Sequence, residues 1–357
     1  MTSDMATKTP VTPRRSVVET GKRALWRGVR RWESALVVVL IGALIFGSSE
    51  RPNFLSPMNF FYTGLNMGEI AIMALPLTLI IMTGEIDLSV ASMLGLSGTV
   101  MGVLFSNGWP IWLAMAAALV VGALGGTLNG VLVAKVGLPS IAVTIGTLTL
   151  FRGIAVILLA PRTITGFPLS LTKIGVVPIQ GTQLAYSTAI FLVMAVVAGV
   201  VLHATPLGRA LVAIGLQPEA AQFAGIRVNR IKIWLYVVSG VVCAFAGILL
   251  TLKNSSVSYD AGTGLELNVV AIVLFGGVSI FGGRGTVIGV VLAVAIVGCL
   301  QQALTQMNVQ PEVQNIIIGV LLLISVVIPN SGEAIRRIRD RARRHASTPS
   351  PRNSPNA

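Results

Sequence analysis

Two carboxylates stand between apolar stretches in the segment Thr83-Gly84-Glu85-Ile86-Asp87-Leu88-Ser89-Val90. An acid at membrane depth is costly and marks a functional position by default. Three roles fit it. Asp87 or Ser89 caps the helix that follows, its side chain accepting hydrogen bonds from orphan N–H groups. Alternatively the segment belongs to a solute path or a moving part, or Glu85 and Asp87 relay protons in a proton-coupled secondary transporter. Uncharged polar side chains inside other apolar runs, namely Asn66, Asn129, Thr144, Thr147, Thr149, Gln301 and Gln302, join Asp87 as candidates for lining a path. Hydroxyls and amides suit a polyhydroxy solute, which needs replacement hydrogen bonds along its way. The same groups also serve as bonds between helices, worth about 1 kcal/mol or less each.

Enzyme chemistry finds no foothold. There is no Gly-x-x-x-x-Gly-Lys-Ser/Thr loop to cradle phosphates, since the one Gly-Lys pair is Gly21-Lys22 in a polar stretch. His203 and His345 are the only histidines, too few for a His-based metal site. Cys243 and Cys299 both lie in apolar runs and form no metal or redox motif. No serine occupies a Gly-x-Ser-x-Gly elbow. The expectation is a chain without catalysis, metal or cofactor of its own. Asp260 to Glu266 reads as an outside loop before the eighth run and Gly282-Gly-Arg-Gly285 as a tight inside turn, their glycines serving positive φ or close backbone approach.

The elements that position these residues are membrane helices. Hydrophobic residues make up 54% of the chain and charged residues 11%, less than half of the ~25% usual in soluble domains. Ten apolar runs are long enough to be read as spans, near 34–50, 65–83, 88–106, 110–134, 139–160, 184–204, 233–252, 268–282, 285–305 and 312–329. The fold class is therefore all-α: a polytopic membrane bundle of about ten helices. The eighth run is short, and with Gly84 to Val90 it is expected to form broken or re-entrant helices, tolerated only where buried in protein or lining a wet cavity. With both ends of the chain cytoplasmic, 21 of the 26 Lys and Arg fall inside and four (Arg51, Arg162, Lys173, Lys253) outside. That bias is the one the positive-inside rule demands. The basic residues flank apolar runs and form no aromatic-interleaved stripe, which excludes a nucleic-acid footprint. The organisation is a basic cytoplasmic tail over 1–33, a membrane domain over 34–329 and a basic, partly disordered tail over 330–357, in the cell membrane.

One inside loop, 205–232, is too long and too punctuated for a plain connection. Pro218 followed by Glu219 starts a helix, Ala220 and Ala221 continue it, and Gly225 ends it. A short helix with small residues and a basic rim suits docking into a groove on a soluble partner.

The motifs Gly84-Glu-Ile-Asp-Leu-Ser-Val90, Thr205-Pro-Leu-Gly-Arg209, Pro218-Glu-Ala-Ala221, Ala224-Gly-Ile226, Ala261-Gly-Thr-Gly264, Gly276-Gly277 and Gly282-Gly-Arg-Gly285 recur in this order. Together, over roughly residues 35–330, they resemble the permease subunits of ribose-type ABC importers. Ala74-Leu-Pro-Leu-Thr78, Gly166-Phe-Pro168 and Leu300-Gln-Gln-Ala-Leu304 are similar to one of the two permease types of autoinducer-2 importers, with rhamnose permeases as neighbours. The resemblance implies transport by alternating access, with ATP and Mg bound by a partner ATPase carrying two nucleotide domains in tandem. It further implies a periplasmic or lipid-anchored solute-binding protein and a second permease, either another copy or a sister chain. It implies that Leu207, Gly208, Arg209, Gly215, Pro218, Glu219, Ala220, Ala221, Gly225 and Ile226 belong to the ATPase-docking region. The chain departs from the family pattern at Gly215-Leu-Gln217, often Gly-Gly-Asn, at Arg284, often Lys, and at Glu85, often Gly.

Overall fold

The computed structural model describes residues 21–320 and 323, with side chains described from residue 32 onward. The predicted tails fall largely outside these residues. Twelve helices are named in chain order: α1 (Gly21–Glu50), α2 (Pro57–Met82), α3 (Val90–Ser106), α4 (Ile111–Ala134), α5 (Ser140–Leu159), α6 (Leu169–Val176), α7 (Tyr186–Ala204), α8 (Pro206–Leu216), α9 (Pro218–Phe223), α10 (Val228–Asn254), α11 (Leu265–Phe275) and α12 (Val287–Gln306). A further helical stretch covers 311–320. Two three-residue strands, β1 (Thr163–Thr165) and β2 (Ser256–Ser258), pair antiparallel with Ile164 opposite Val257. They tie the loop after α5 to the end of α10.

The helical membrane bundle read from sequence is the observed class. Seven helices are long and apolar enough to cross a membrane: residues Trp32–Glu50 of α1, then α2, α4, α5, α7, α10 and α12. Two predicted spans are shorter, α3 with 17 residues and α11 with 11. The tenth, 312–329, runs beyond the described residues. Both predicted interruptions exist as gaps between helices: residues 83–89 separate α2 from α3, and 276–286 separate α11 from α12. α1 starts at Gly21, inside the predicted tail, because Lys, Arg, Ala and Leu are good helix formers whatever their hydropathy.

Local chemistry sets the helix starts. Ser56 accepts from the Asn59 N–H at 3.3 Å with Pro57 in the first turn of α2. Thr286 accepts from the Gly289 N–H at 3.1 Å at the head of α12. α2 is the most enclosed helix, its apolar side chains forming one core with α3, α10, α11 and α12. Bulky side chains such as Ile157, 85% exposed, and Val196, 67% exposed, point outward from α5 and α7. In water such a surface would aggregate; facing lipid it is at equilibrium.

The closest helix pairing is α4 against α10. Gly122, Gly126 and Gly130 recur every fourth residue along one face of α4 and meet Gly240, Tyr236 and Ile233. A Cβ on Gly130 would lie 2.9 Å from Ile233 Cα. Without a hydrophobic drive between helices in lipid, such backbone approach is the main source of packing attraction. It holds the start of α10 beside the end of α4, at the end of the bundle where the α8–α9 loop also lies.

Candidate functional site

The loop between α7 and α10 folds as two helices. Thr205 closes α7 and caps α8: its hydroxyl donates to Val201 O at 2.6 Å and accepts from the Gly208 N–H at 3.4 Å. Pro206 takes the first turn of α8, where a missing N–H costs nothing. Gln217, extended at φ −160° and ψ 97°, breaks the chain, and Pro218 begins α9. Gly225, at φ 84°, stops it. The sequence located α9 and its glycine stop; α8 is additional, and its signal was the Thr205-Pro206 pair.

The two helices have distinct faces. Gly208, Leu211, Ile214 and Ala221 are buried, and Gly215 and Ile226 are half-buried. Leu207, Arg209, Pro218, Glu219, Ala220 and Gly225 are exposed. Two apolar side chains outside the predicted set stand out on the open face, Leu216 at 61% and Phe223 at 93% exposure, and Phe281 of the nearby glycine turn is exposed at 82%. A Cβ on Gly208 would overlap the Leu202 carbonyl, so Gly208 is packed against the end of α7 and offers no docking surface.

The buried side of α8 locks into the two helix interruptions. A Cβ on Gly215 would overlap Met82 O, at the end of α2, and Gly283 N. Gly283 itself donates its N–H to Met82 O at 2.9 Å. Gly282, at φ 78°, comes so near that a Cβ would lie 2.7 Å from Gly84 N and 2.9 Å from Gly215 Cα. Two glycine turns and a helical glycine, remote in sequence, thus meet at one point. They join α8 to the α2–α3 gap and to the α11–α12 gap.

The 84–89 segment is held from its other side by a polar network. Asp87 Oδ1 accepts from the Ser89 N–H at 2.9 Å and the Ser89 hydroxyl at 2.6 Å. Its Oδ2 accepts from Ser239 Oγ of α10 at 3.4 Å. Asn129 Nδ2 of α4 donates to Ser89 Oγ at 2.8 Å. Ser140 Oγ accepts from the Ile86 N–H at 3.2 Å, and Thr144 Oγ1 donates to Ile86 O at 3.3 Å. Glu85 pairs with Lys232 of α10. Among the described residues no cation pairs with Asp87, which is 3% exposed. Of the capping roles read from sequence, the Ser89 side chain makes no bond to α3; it donates to Asp87 instead.

The structure therefore gathers Asp87 and Asn129 around Ser89, with Thr144 beside them. Thr147, one turn further, bonds its own helix at Val143 O (3.1 Å). Thr149 is exposed and bonds Ile145 O at 3.2 Å. Asn66 and Gln301 are not brought to this cluster. They lie toward the opposite end, on the exposed side of α2 and half-buried near the end of α12. There Lys253 pairs with Glu69 at 2.7 Å and Gln302 Nε2 donates to Asn59 Oδ1 at 2.9 Å. Lys253 is thus a helical, paired residue and not part of a loop. Arg152, inside α5, donates to Ala261 O at 2.8 Å and stands 3.9 Å from Glu266, fixing the turn before α11. Lys232, Ser239 and Ser140 had no local signal in the sequence; only their partners did.

Seven long apolar helices, with two interruptions that meet on α8, make this a polytopic helical membrane protein. The family described as branched-chain amino acid transport system / permease component matches residues 60–326, and the chain belongs to it. It is a multi-pass permease subunit of an ATP-binding-cassette importer. It is 34% identical over 326 residues to the autoinducer 2 import system permease protein LsrD of Escherichia coli (strain K12), covering 90% of this chain and 98% of that one. The LsrD proteins of Shigella flexneri and Escherichia coli O157:H7 match at the same identity and coverage. No solved structure matches the chain. In this class the drive comes from ATP, and Glu85 and Asp87 sit in enclosed structural contacts, so a proton-coupled carrier is not favoured.

Proposed function

We propose that this chain moves a sugar-like solute of the autoinducer-2, rhamnose or ribose class inward across the inner membrane by alternating access. A partner ATPase with tandem nucleotide domains, which binds the ATP and Mg, docks on the open face of α8 and α9. A periplasmic or lipid-anchored binding protein delivers the solute to the opposite end, and a second permease, identical or a sister chain, completes the path. The chain itself performs no covalent chemistry. Both ends of the chain face the cytoplasm, a reading supported by the Lys and Arg bias.

The observation that carries the reading is the glycine junction. At Gly215 a push on α8 reaches Met82 O and Gly283 N directly, backbone on backbone, with the Leu216 side chain resting on Gly283 beside it. Interlocked packing of this kind moves between discrete arrangements and does not deform continuously. The two helix gaps are then the elements biased from the ATPase side. The solute class draws support from the LsrD relatives and from the uncharged hydrogen-bonding groups of Asn129 and Thr144 beside Asp87. Asp87, Asn129, Thr144, Thr147, Asn66 and Gln301 remain the candidates for the path.

The test is cysteine cross-linking. Ala220→Cys on exposed α9 should cross-link to the ATPase in membranes, and the bond should block uptake. A cysteine on the exposed face of α5, at Ile157, should not. Cross-links that form equally at both positions, or transport that continues through a quantitative Ala220→Cys cross-link, would overturn the docking assignment.

A further inference from the structure

A groove of 960 Å³ opens between the end of α4 and the start of α10, lined by Lys135, Arg227, Arg230, Thr127, Trp234 and Val237 among others. We propose that it is a binding site for an anionic phospholipid, its phosphate held by Lys135, Arg227 and Arg230.

The three cations are exposed, and none has an acidic partner within ion-pair distance among the described residues. The neighbouring Lys232 is different, since it is taken by Glu85. Three cations without an acidic partner line one cavity, and a basic pocket between membrane helices at the headgroup level suits a phosphate-bearing lipid. The walls choose lipid over a soluble anion. From Val228 to Val237 the groove climbs nine residues of α10, about 14 Å along the helix axis and into the bilayer. A soluble protein does not reach that depth along a spanning helix; an acyl chain does.

The surface above the groove continues the match. On α4, Val120, Leu124 and Leu128 repeat every fourth residue and are 56%, 65% and 40% exposed. On α10, Trp234 at 62% and Val238 at 46% form the facing stripe. Trp at a helix end is an interfacial residue, its amphipathic ring seated among headgroups. One cationic mouth followed by two apolar stripes has the polarity of one phospholipid. The lipid would sit against Ile226 and Gly225, at the root of α9. Reading this end as cytoplasmic decides only the leaflet; the chemistry is the same on either.

The experiment is native mass spectrometry of the full-length chain released from vesicles of phosphatidylethanolamine with a minor fraction of phosphatidylglycerol, without the ATPase. The wild type should retain phosphatidylglycerol well above its bulk fraction. The triple variant Lys135→Gln/Arg227→Gln/Arg230→Gln should lose that preference by roughly tenfold or more, given the attraction of each cation to an anionic headgroup. The charge-conserving Lys135→Arg/Arg227→Lys/Arg230→Lys should keep it, which separates loss of charge from loss of fold. Retention by the Gln variant equal to wild type overturns the proposal. So does displacement of the lipid by glycerol phosphate in the buffer, which would mean a soluble-phosphate site. So does a Gln variant that dissociates from a second copy with its lipid preference intact, which would make the groove a protein interface. Because the ATPase is absent from the lipid measurement, failure of the α9 docking assignment leaves its result unchanged.

Discussion

Phe223 gives the sharpest handle on docking. It stands on the last turn of α9, 93% exposed, with Leu216 of α8 61% exposed on the same loop. A bare aromatic ring at the tip of a surface loop is a hot-spot geometry, provided a partner covers it. Removing such a ring from water contributes about 2–3 kcal/mol. Each ~1.4 kcal/mol is tenfold in affinity, so Phe223→Ala should weaken ATPase binding by roughly 30- to 150-fold. The chain alone should be unaffected, because a fully exposed side chain contributes no packing: a change within ~0.5 kcal/mol is expected. The assay is titration of the purified ATPase onto the permease in nanodiscs, alongside thermal unfolding of the permease without partner. An affinity within threefold of wild type would refute the reasoning. A large loss of stability in the isolated chain would refute it differently, by showing that the ring is packed.

Gly215→Ala places a methyl group against Met82 O and Gly283 N, backbone atoms that cannot rotate away. Overpacking of this kind costs about 1–3 kcal/mol, and the expected result is ATPase that still binds but moves less solute per ATP, read as the ratio of uptake to hydrolysis in proteoliposomes. Asp87→Ala leaves the Ser89 N–H, Ser89 hydroxyl and Ser239 hydroxyl without their acceptor, at about 1–3 kcal/mol for each group left buried and unpaired. Asp87→Asn keeps one acceptor and should lower the unfolding temperature distinctly less; equal losses would contradict the network. For the Lys232–Glu85 pair, Lys232→Met alone should destabilise more than Lys232→Met with Glu85→Gln, since the double variant strands no charge. Thermal unfolding of Lys232→Met, Glu85→Gln, the double variant and the wild type closes the cycle.

The long apolar helices were legible because each is a continuous run bounded by turns or charge, and the two gaps because Gly84 and Gly282–Gly285 interrupt such runs. α8 was not legible. Its Thr205-Pro206 start can be read as a turn as easily as a cap with proline in the first turn, and tertiary contact with α2 decides between them. The N-terminal extension of α1 escaped for another reason: its first turns are basic, so hydropathy is silent while helix propensity is high. At the site, Asp87 and Asn129 were visible as polar groups in apolar surroundings, but their meeting through Ser89 was not, because Asp87 lies in the α2–α3 gap and Asn129 on α4, some forty residues away. The same holds for Arg152 with Glu266 and Lys253 with Glu69. Gly208 shows the opposite failure. Its motif placed it in the docking region, and only the Leu202 carbonyl beside it reveals a packing role. A Gly208→Asp variant would therefore disrupt the α7–α8 corner before it tested docking.

The central claim is that energy enters this bundle from a partner through α8 and α9. Uptake should be measured in proteoliposomes holding the complete importer, with ATP clamped and a protonophore added. Uptake that requires the ATPase and ATP, and persists when the proton gradient is collapsed, is the predicted result. Uptake by the permease without the ATPase, abolished by the protonophore, would contradict the account.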